Sequence, residues 1–396
     1  MTQGIGGSDQ ASALAAFSDR TTDLTPISKD TLLARIARAQ ELLREAGQAA
    51  MVLYPGSSMV YFTGLQWYAS ERLVAAILPA HGELSYIAPA FERDTLNSFL
   101  VVEGALDVWE EHECPYELVG KVTGGSKVAL DASAPFFVVD GLAKANPSIS
   151  FENAMPLTQG MRSIKSAEEL ALMQRAKDIT LEVHKSVASI LRPGITTTEV
   201  EAFIDAAHRA SGAPKGSSFV IVLFGPDSAF PHGVKTPKAL EPGDVVLIDT
   251  GCFVHSYQSD ITRTYIFGDP TDEQRRVWNA EKAAQAAAFE AAQVGTPCGD
   301  VDLAARRSLE ADGFGPGYAL PGLPHRTGHG IGLDIHEGPY LVSSDRTPLQ
   351  PGMCFSNEPM LCVPGAFGIR LEDHFYMTAD GPRWFTQPSP SIDSPF

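Results

Sequence analysis

The sequence predicts two domains: an α/β unit over residues 25–158, then an α+β unit over residues 159–396 made of a duplicated helix–helix–hairpin. Three observations predict this. At 396 residues the chain exceeds what one ordinary core accommodates. Before residue 160, short apolar runs alternate with helical stretches. Beyond it, two helical patterns followed by strand-like runs occur twice in the same order.

Residues 1–24, beginning MTQGIGGSDQ, have neither a basic start nor an apolar run of signal-peptide length and are expected to be loose. Residues 29–46 predict an amphipathic helix, with Leu32, Ile36, Ala39 and Leu43 on one face and Gly47 at its end. The runs AAMVLYP, MVYFTGL, LVAAILP, ELSYIAP, LDVWE and KVALD are of strand length and bounded by Gly, Pro or charge, so each predicts a strand. Ser166 and Glu169 form a capping box that opens a long helix, stopped at Pro193-Gly194. A second helix spans Thr197 to Ala210, with strands at SFVIVLFG, DVVLIDTG and ITRTYIFG. The second half repeats the order. Thr271 and Gln274 cap a helix to about Gln293, Asp300 opens another to Ala311, and strands follow at MCFSNEPML and GIRLEDHFYM.

The hydrophobic fraction of 44% and charged fraction of 20% are those of a globular protein. A net charge of −18 argues against nucleic acid or an anionic membrane as partner. No segment approaches the ~20 apolar residues of a membrane span. The five cysteines are odd in number and form no CxxC pair, which predicts free thiols in a reducing cytoplasm.

Residues 324–338, PHRTGHGIGLDIHEG, hold three histidines. His325 and His329 have the spacing of a helical metal site, but each interior glycine costs a helix ~1 kcal/mol, so loop and strand are expected instead. Asp249 ends the apolar run VVLID, and Asp260 follows eleven residues on. In one continuous strand they would lie ~36 Å apart on opposite faces. They meet only if the chain folds back, and GCFVHSYQ offers Gly251 and polar residues for a turn. Glu358 and Glu372 likewise flank the turn signal Pro364-Gly365. Singly, each is an ordinary turn former or surface group. Together, two hairpins aim four carboxylates at one place, where they repel unless cations compensate them. Four negative charges and one imidazole suit two divalent metals, with Mn²⁺, Co²⁺ or Zn²⁺ favoured over soft-metal chemistry.

The set Asp249, Asp260, His329, Glu358 and Glu372 resembles the pita-bread metallopeptidases, which include methionine aminopeptidase, aminopeptidase P, prolidase and creatinase. The steps of 11, 29 and 14 residues match the proline-specific branch. The resemblance implies a pita-bread domain with a curved antiparallel sheet behind a creatinase/prolidase-like N-terminal domain. It implies that Asp249 chelates one metal, that Asp260 and Glu372 bridge the pair, and that His329 and Glu358 complete the other site. Glu358 would also shuttle protons, while His336 and His232 would hold the substrate carbonyl and the tetrahedral intermediate. His325 and Arg370 would line the pocket or fix ligand geometry.

Two departures stand out. Relatives commonly have a glycine and a tyrosine where this chain has Met360 and Cys362. A prolidase pattern has an arginine that grips the substrate carboxylate where this chain has Tyr340, which leaves Arg346, Arg370 or the N-terminal domain for that task. The expected activity is metal-dependent hydrolysis of Xaa-Pro bonds in small peptides by a Mn²⁺-loaded Xaa-Pro dipeptidase. Alternatives are aminopeptidase P, a sulfonio-acid lyase of the same fold, and a non-catalytic peptide-binding module. The resemblance further implies a homodimer in which one N-terminal domain borders the partner's active site, and the cysteine usage and N-terminus predict a cytoplasmic location. Trp67 and Tyr68 could serve there, though core packing is the more ordinary use of such aromatics.

Overall fold

A computed structural model describes residues 2–396, and contacts divide it into two units: Thr25–Arg162, and Ser163–Phe396 together with the stretch up to Leu24. In the first unit, helix Lys29–Glu45 starts where the Ser28 hydroxyl accepts the Thr31 N–H. It buries Leu32, Ile36, Ala39 and Leu43, the face that the spacing predicts. The sheet has the strands β1 (Ala50–Leu53), β2 (Ala75–Pro79), β3 (Ser85–Pro89), β4 (Ala105–Trp109), β5 (Lys127–Leu130) and β6 (Ser150–Asn153), in the order β4-β3-β2-β1-β5-β6. It is mixed, with β2 antiparallel to β1 and β3 and the remaining pairs parallel.

Two expectations in this unit are corrected. MVYFTGL is part of a helix, Ser57–Thr63, closed by Gly64 in the left-handed region at φ 73°. A run that short fits either periodicity; burial of Met59 and Phe62, three apart, together with the glycine cap decides for helix. Tyr68 is not core, being 84% exposed, while Trp67 packs on Phe99 at 6.0 Å.

In the second unit the N-terminal stretch is ordered, contrary to expectation. Asp9 caps a helix, Gln10–Ala15, whose Ala13 is buried. The N–H groups of Gly6 and Ser8 donate to Ala188 and Ser189 carbonyls. Those residues lie on the long helix Ala167–Ile190, which opens with the Ser166–Glu169 capping box and is followed by helix Thr197–Ala210. The second half repeats this with Asp272–Ala291, capped by Thr271 and Gln274, and Cys298–Ala311. Asp300 does not open that last helix. Pro297 does, with φ already at −60° for helical entry.

Behind the first helix pair lie β7 (Ser217–Phe224), β8 (Val245–Val254), β9 (Tyr257–Gln258) and β10 (Ile261–Ile266), ordered β10-β8-β7 with β9 pairing β8. Behind the second lie β11 (Gly328–Gly330), β12 (Glu337–Leu341), β13 (Cys354–Asn357), β14 (Met360–Val363), β15 (Phe367–Arg370), β16 (Asp373–Thr378) and β17 (Gly381–Trp384). Five of these form an antiparallel sheet, β12-β11-β13-β16-β17, and β14 pairs β15. The duplicated helix–helix–hairpin architecture expected from the sequence is the one observed. All five cysteines are free thiols, and only Cys114 is exposed. Among the described residues no helix is long and apolar enough to cross a membrane.

Buried imidazoles make this unit acid-sensitive. Burial pushes His208 down to about 4 and, with Arg263 nearby, His184 down to about 3. An unfolded chain takes up these protons near pH 6.5, so both stabilising contributions are complete above that pH and are lost as pH falls toward 4 and 3. The contribution of His208 is on the order of 3 kcal/mol. The thermal midpoint should therefore drop between pH 6.5 and 4, and His208→Gln should flatten that slope; an unchanged slope would remove His208 from the account.

Candidate metal centre

The first hairpin brings Asp249 and Asp260 together. Asp249 on β8 pairs with Thr262 on β10, two residues past Asp260. The reversal lies at His255 and Ser256, both at positive φ (45° and 74°), and not at Gly251. Gly251 serves another purpose: a Cβ there would fall 1.9 Å from the Ser259 carbonyl oxygen, so glycine lets the two arms close. The second hairpin, β14–β15, turns beside Gly365 at φ 74° and pairs Met360 with Arg370. Glu358 and Glu372 stand just outside its two ends. His329 comes from β11, where Gly328 and Gly330 would drive a Cβ to 2.1 Å from the Ser356 oxygen and 2.4 Å from the Glu337 oxygen. The glycines flanking His329 are thus required by close backbone packing.

The five side chains meet. His329 Nδ1–H donates to Gly330 O at 3.0 Å, which turns Nε2 toward the acids, 3.1 Å from Glu358 Oε1 and 3.7 Å from Asp260 Oδ2. Ligand atoms of His329, Glu358 and Glu372 lie within 4.8 Å of one another. Thr262 Oγ1–H donates to Glu372 Oε2 at 2.7 Å, Ser356 Oγ–H to Glu358 Oε1 at 3.1 Å, and Arg370 Nη2–H to Asp249 Oδ2. Asp249 Oδ1, Asp260 Oδ1 and Glu372 Oε1 are buried with no hydrogen-bond partner.

Burial and the neighbouring carboxylates hold Asp260 and Glu372 well above the usual carboxylate range. Burial also raises Asp249, against the pull of Arg370. Glu358 goes the other way: burial would raise it, but His329 beside it prevails and holds it low. Unpartnered buried oxygens and mutually repelling acids cost stability in an apolar interior, and cations are what such a donor set accommodates. Four carboxylates and one imidazole carry the charge and the oxygen-rich chemistry for two divalent ions.

The other expected residues divide. The His336 ring lies 4.1 Å from that of His329 at the exposed rim, and burial together with His329 pushes it down to about 4. His325 bonds Arg326 O through Nδ1 at 2.7 Å and leaves Nε2 without a partner. His232 is exposed. Arg370 is buried and fully engaged, with Asp249, Thr262 Oγ1 (3.0 Å) and Pro231 O (3.2 Å). Arg346 stands apart, 66% exposed and paired with Asp300 at 3.2 Å. The Tyr340 ring lies beneath the Arg326 guanidinium, 4.3 Å from its carbon.

Sequence reasoning missed a supporting layer. Gln285, on helix Asp272–Ala291, donates to Leu371 O (3.1 Å), Asn357 O (3.4 Å) and Asp373 Oδ2 (3.3 Å). It thereby holds the residues that precede both glutamates. Glu281, one turn earlier, accepts the Leu371 N–H at 3.1 Å. On the first long helix His184 donates to Ile261 O, next to Asp260, at 2.9 Å. His374 was also missed: it is buried with both ring nitrogens unpartnered, and its ligand atom lies within 4.8 Å of those of Asp260 and Glu372. Glu281 and Gln285, four apart among alanines, were the available signal. Gln285→Leu should weaken divalent-metal affinity about 10-fold; a cobalt titration indistinguishable from wild type would show that the clamp does not matter.

A duplicated α+β unit in which four carboxylates and an imidazole converge is a candidate metal centre. The chain belongs to metallopeptidase family M24, whose pattern it matches over residues 171–379, and it carries a creatinase/prolidase N-terminal domain over residues 35–164. It is 36% identical over 352 residues to the probable dipeptidase PepE of Mycobacterium tuberculosis, covering 88% of this chain and 92% of that one. The crystal structure of dipeptidase PepE from Mycobacterium ulcerans superposes with a TM-score of 0.85 at 32% identity, covering 92% and 97% of the two chains. A prolidase from Thermococcus sibiricus does so with a TM-score of 0.82 at 30% identity, covering 90% and 97%. The protein is a pita-bread peptidase, hence a hydrolase.

Proposed function

We propose that the protein is an Xaa-Pro dipeptidase that uses two divalent cations, Mn²⁺ by preference, held by Asp249, Asp260, His329, Glu358 and Glu372. One observation carries the reading: buried carboxylate oxygens with no protein partner face one another across two hairpins in a chain similar to dipeptidases and prolidases. When bound, the cations supply a Lewis acid and lower the pKa of water. Asp249, which Arg370 orients, would hold the cations together with Asp260, Glu372, His329 and Glu358. Glu358, beside His329 among the converging acids, takes the proton of the attacking water and delivers it to the leaving nitrogen. His336 and His232 at the rim donate hydrogen bonds to the carbonyl oxygen as charge develops on it. Proline's nitrogen carries no N–H, so a site that acts through the carbonyl suits bonds that other peptidases avoid. In the cell we read a cytoplasmic homodimer, consistent with five unpaired thiols.

The test compares Mn²⁺-loaded enzyme on Ala-Pro and Ala-Pro-Ala, following free alanine, against a chelated control. Cleavage of the dipeptide alone is expected. Cleavage of the tripeptide would reassign the enzyme to aminopeptidase P chemistry. No cleavage of either would turn attention to the lyase or binding-module alternatives.

A further inference from the structure

A dipeptide brings a carboxylate within a few ångströms of its scissile bond, and four acids line the centre. Two divalent cations would only neutralise those acids, so the substrate carboxylate gains no net attraction there and needs a cation of its own. Most cations nearby are already committed. Arg370 bonds Asp249, Arg263 bonds Asp373 at 2.7 Å, and Lys165 bonds Glu337 at 2.6 Å. Arg346 is exposed and paired with Asp300.

Arg326 differs from all of these. Among the described residues its guanidinium makes neither a hydrogen bond nor an ion pair, although the residue is half-buried. Its backbone is pinned on both sides. Arg306 Nη2–H donates to His325 O at 2.5 Å, His325 Nδ1–H to Arg326 O at 2.7 Å, and the Thr327 N–H to Asp302 Oδ1 at 3.1 Å. The Arg326 guanidinium carbon lies 4.3 Å from the Tyr340 ring centroid, a cation–π contact that leaves its N–H groups without a hydrogen-bond partner. Tyr340 is the cross-strand partner of His329, so its ring leaves the sheet on the same face as the metal-ligating imidazole.

We propose that Arg326, seated on Tyr340, is the subsite that receives the terminal carboxylate of the peptide substrate. The inference rests on the Xaa-Pro peptidase reading and adds how substrate length is recognised. A planar guanidinium presents two parallel N–H donors to a carboxylate, and a peptide continuing beyond proline, or an amide in place of the acid, forfeits that pairing.

The experiment measures kcat/KM of the Mn²⁺-loaded enzyme on Ala-Pro and on its amide, Ala-Pro-NH₂, for wild type, Arg326→Met and Arg326→Lys. Wild type should prefer the acid about 100-fold. Arg326→Met should lose about that factor on Ala-Pro, chiefly through KM, while staying within about 3-fold of wild type on the amide; Arg326→Lys should recover part of the preference. Equal losses on acid and amide, or an acid preference that survives Arg326→Met, would overturn the assignment and leave the peptidase reading intact. Cleavage of neither peptide by wild type would overturn both.

Discussion

Glu358→Gln should lower kcat by a factor of about 10³ while leaving the fold intact. The Glu358 carboxylate lies 3.1 Å from His329 Nε2 and can accept a proton, which the amide of glutamine cannot. The amide keeps an oxygen that can still face a cation, and Ser356 can still donate to it. Cobalt content and circular dichroism separate the two roles. Lost turnover with both ions retained identifies a proton carrier, whereas loss of an ion along with turnover reduces Glu358 to a ligand. Turnover at the wild-type level would end the assignment.

Asp260→Asn should cost more, because the family resemblance makes Asp260 a shared ligand. In the wild-type protein Asp260 is buried among three other acids, and its pKa is raised by burial and by Glu372. Removing that charge relieves repulsion, so the metal-free variant should unfold at a higher temperature than the metal-free wild type. The order should invert with metal. Ions at 100 times their dissociation constant stabilise the folded chain by about 2.7 kcal/mol per site, a gain that the wild type keeps and the variant largely loses. Activity should fall below detection. A variant that binds two equivalents of cobalt with wild-type affinity would exclude Asp260 from the centre.

That four acids and an imidazole would cluster could be read from residue order because mutually repelling acids at such spacings are unusual, and because turns have strong local signals. Pro364-Gly365 marks its hairpin in two residues, and the capping boxes at Ser166 and Thr271 mark the two long helices through contacts three residues apart. The short elements were less legible. MVYFTGL satisfies both periodicities, and packing selected the helix. The turn between Asp249 and Asp260 was sought at Gly251, yet that glycine answers to Ser259, and the reversal is made by His255 and Ser256. No local pattern reports a constraint set by a residue eight positions away.

By itself the sequence determined the two-domain order, the repeat of helix, helix and hairpin, and the acids and imidazole that lie at the centre. Tertiary structure alone decided the partners of each charge. Arg370 is engaged by Asp249, Arg346 by Asp300, and Arg326 is left with its guanidinium edge unbonded over Tyr340. It also decided that Gln285 and Glu281 support both glutamate-bearing segments, and that His374 faces the acids, 3.7 Å from Glu372, with no hydrogen-bond partner. The physical reason is range. Caps, turns and ligand spacings are fixed by chemistry within a few residues, whereas the pairing of buried charges depends on contacts such as Arg370 with Asp249, 121 positions apart, which exist only once the chain has closed.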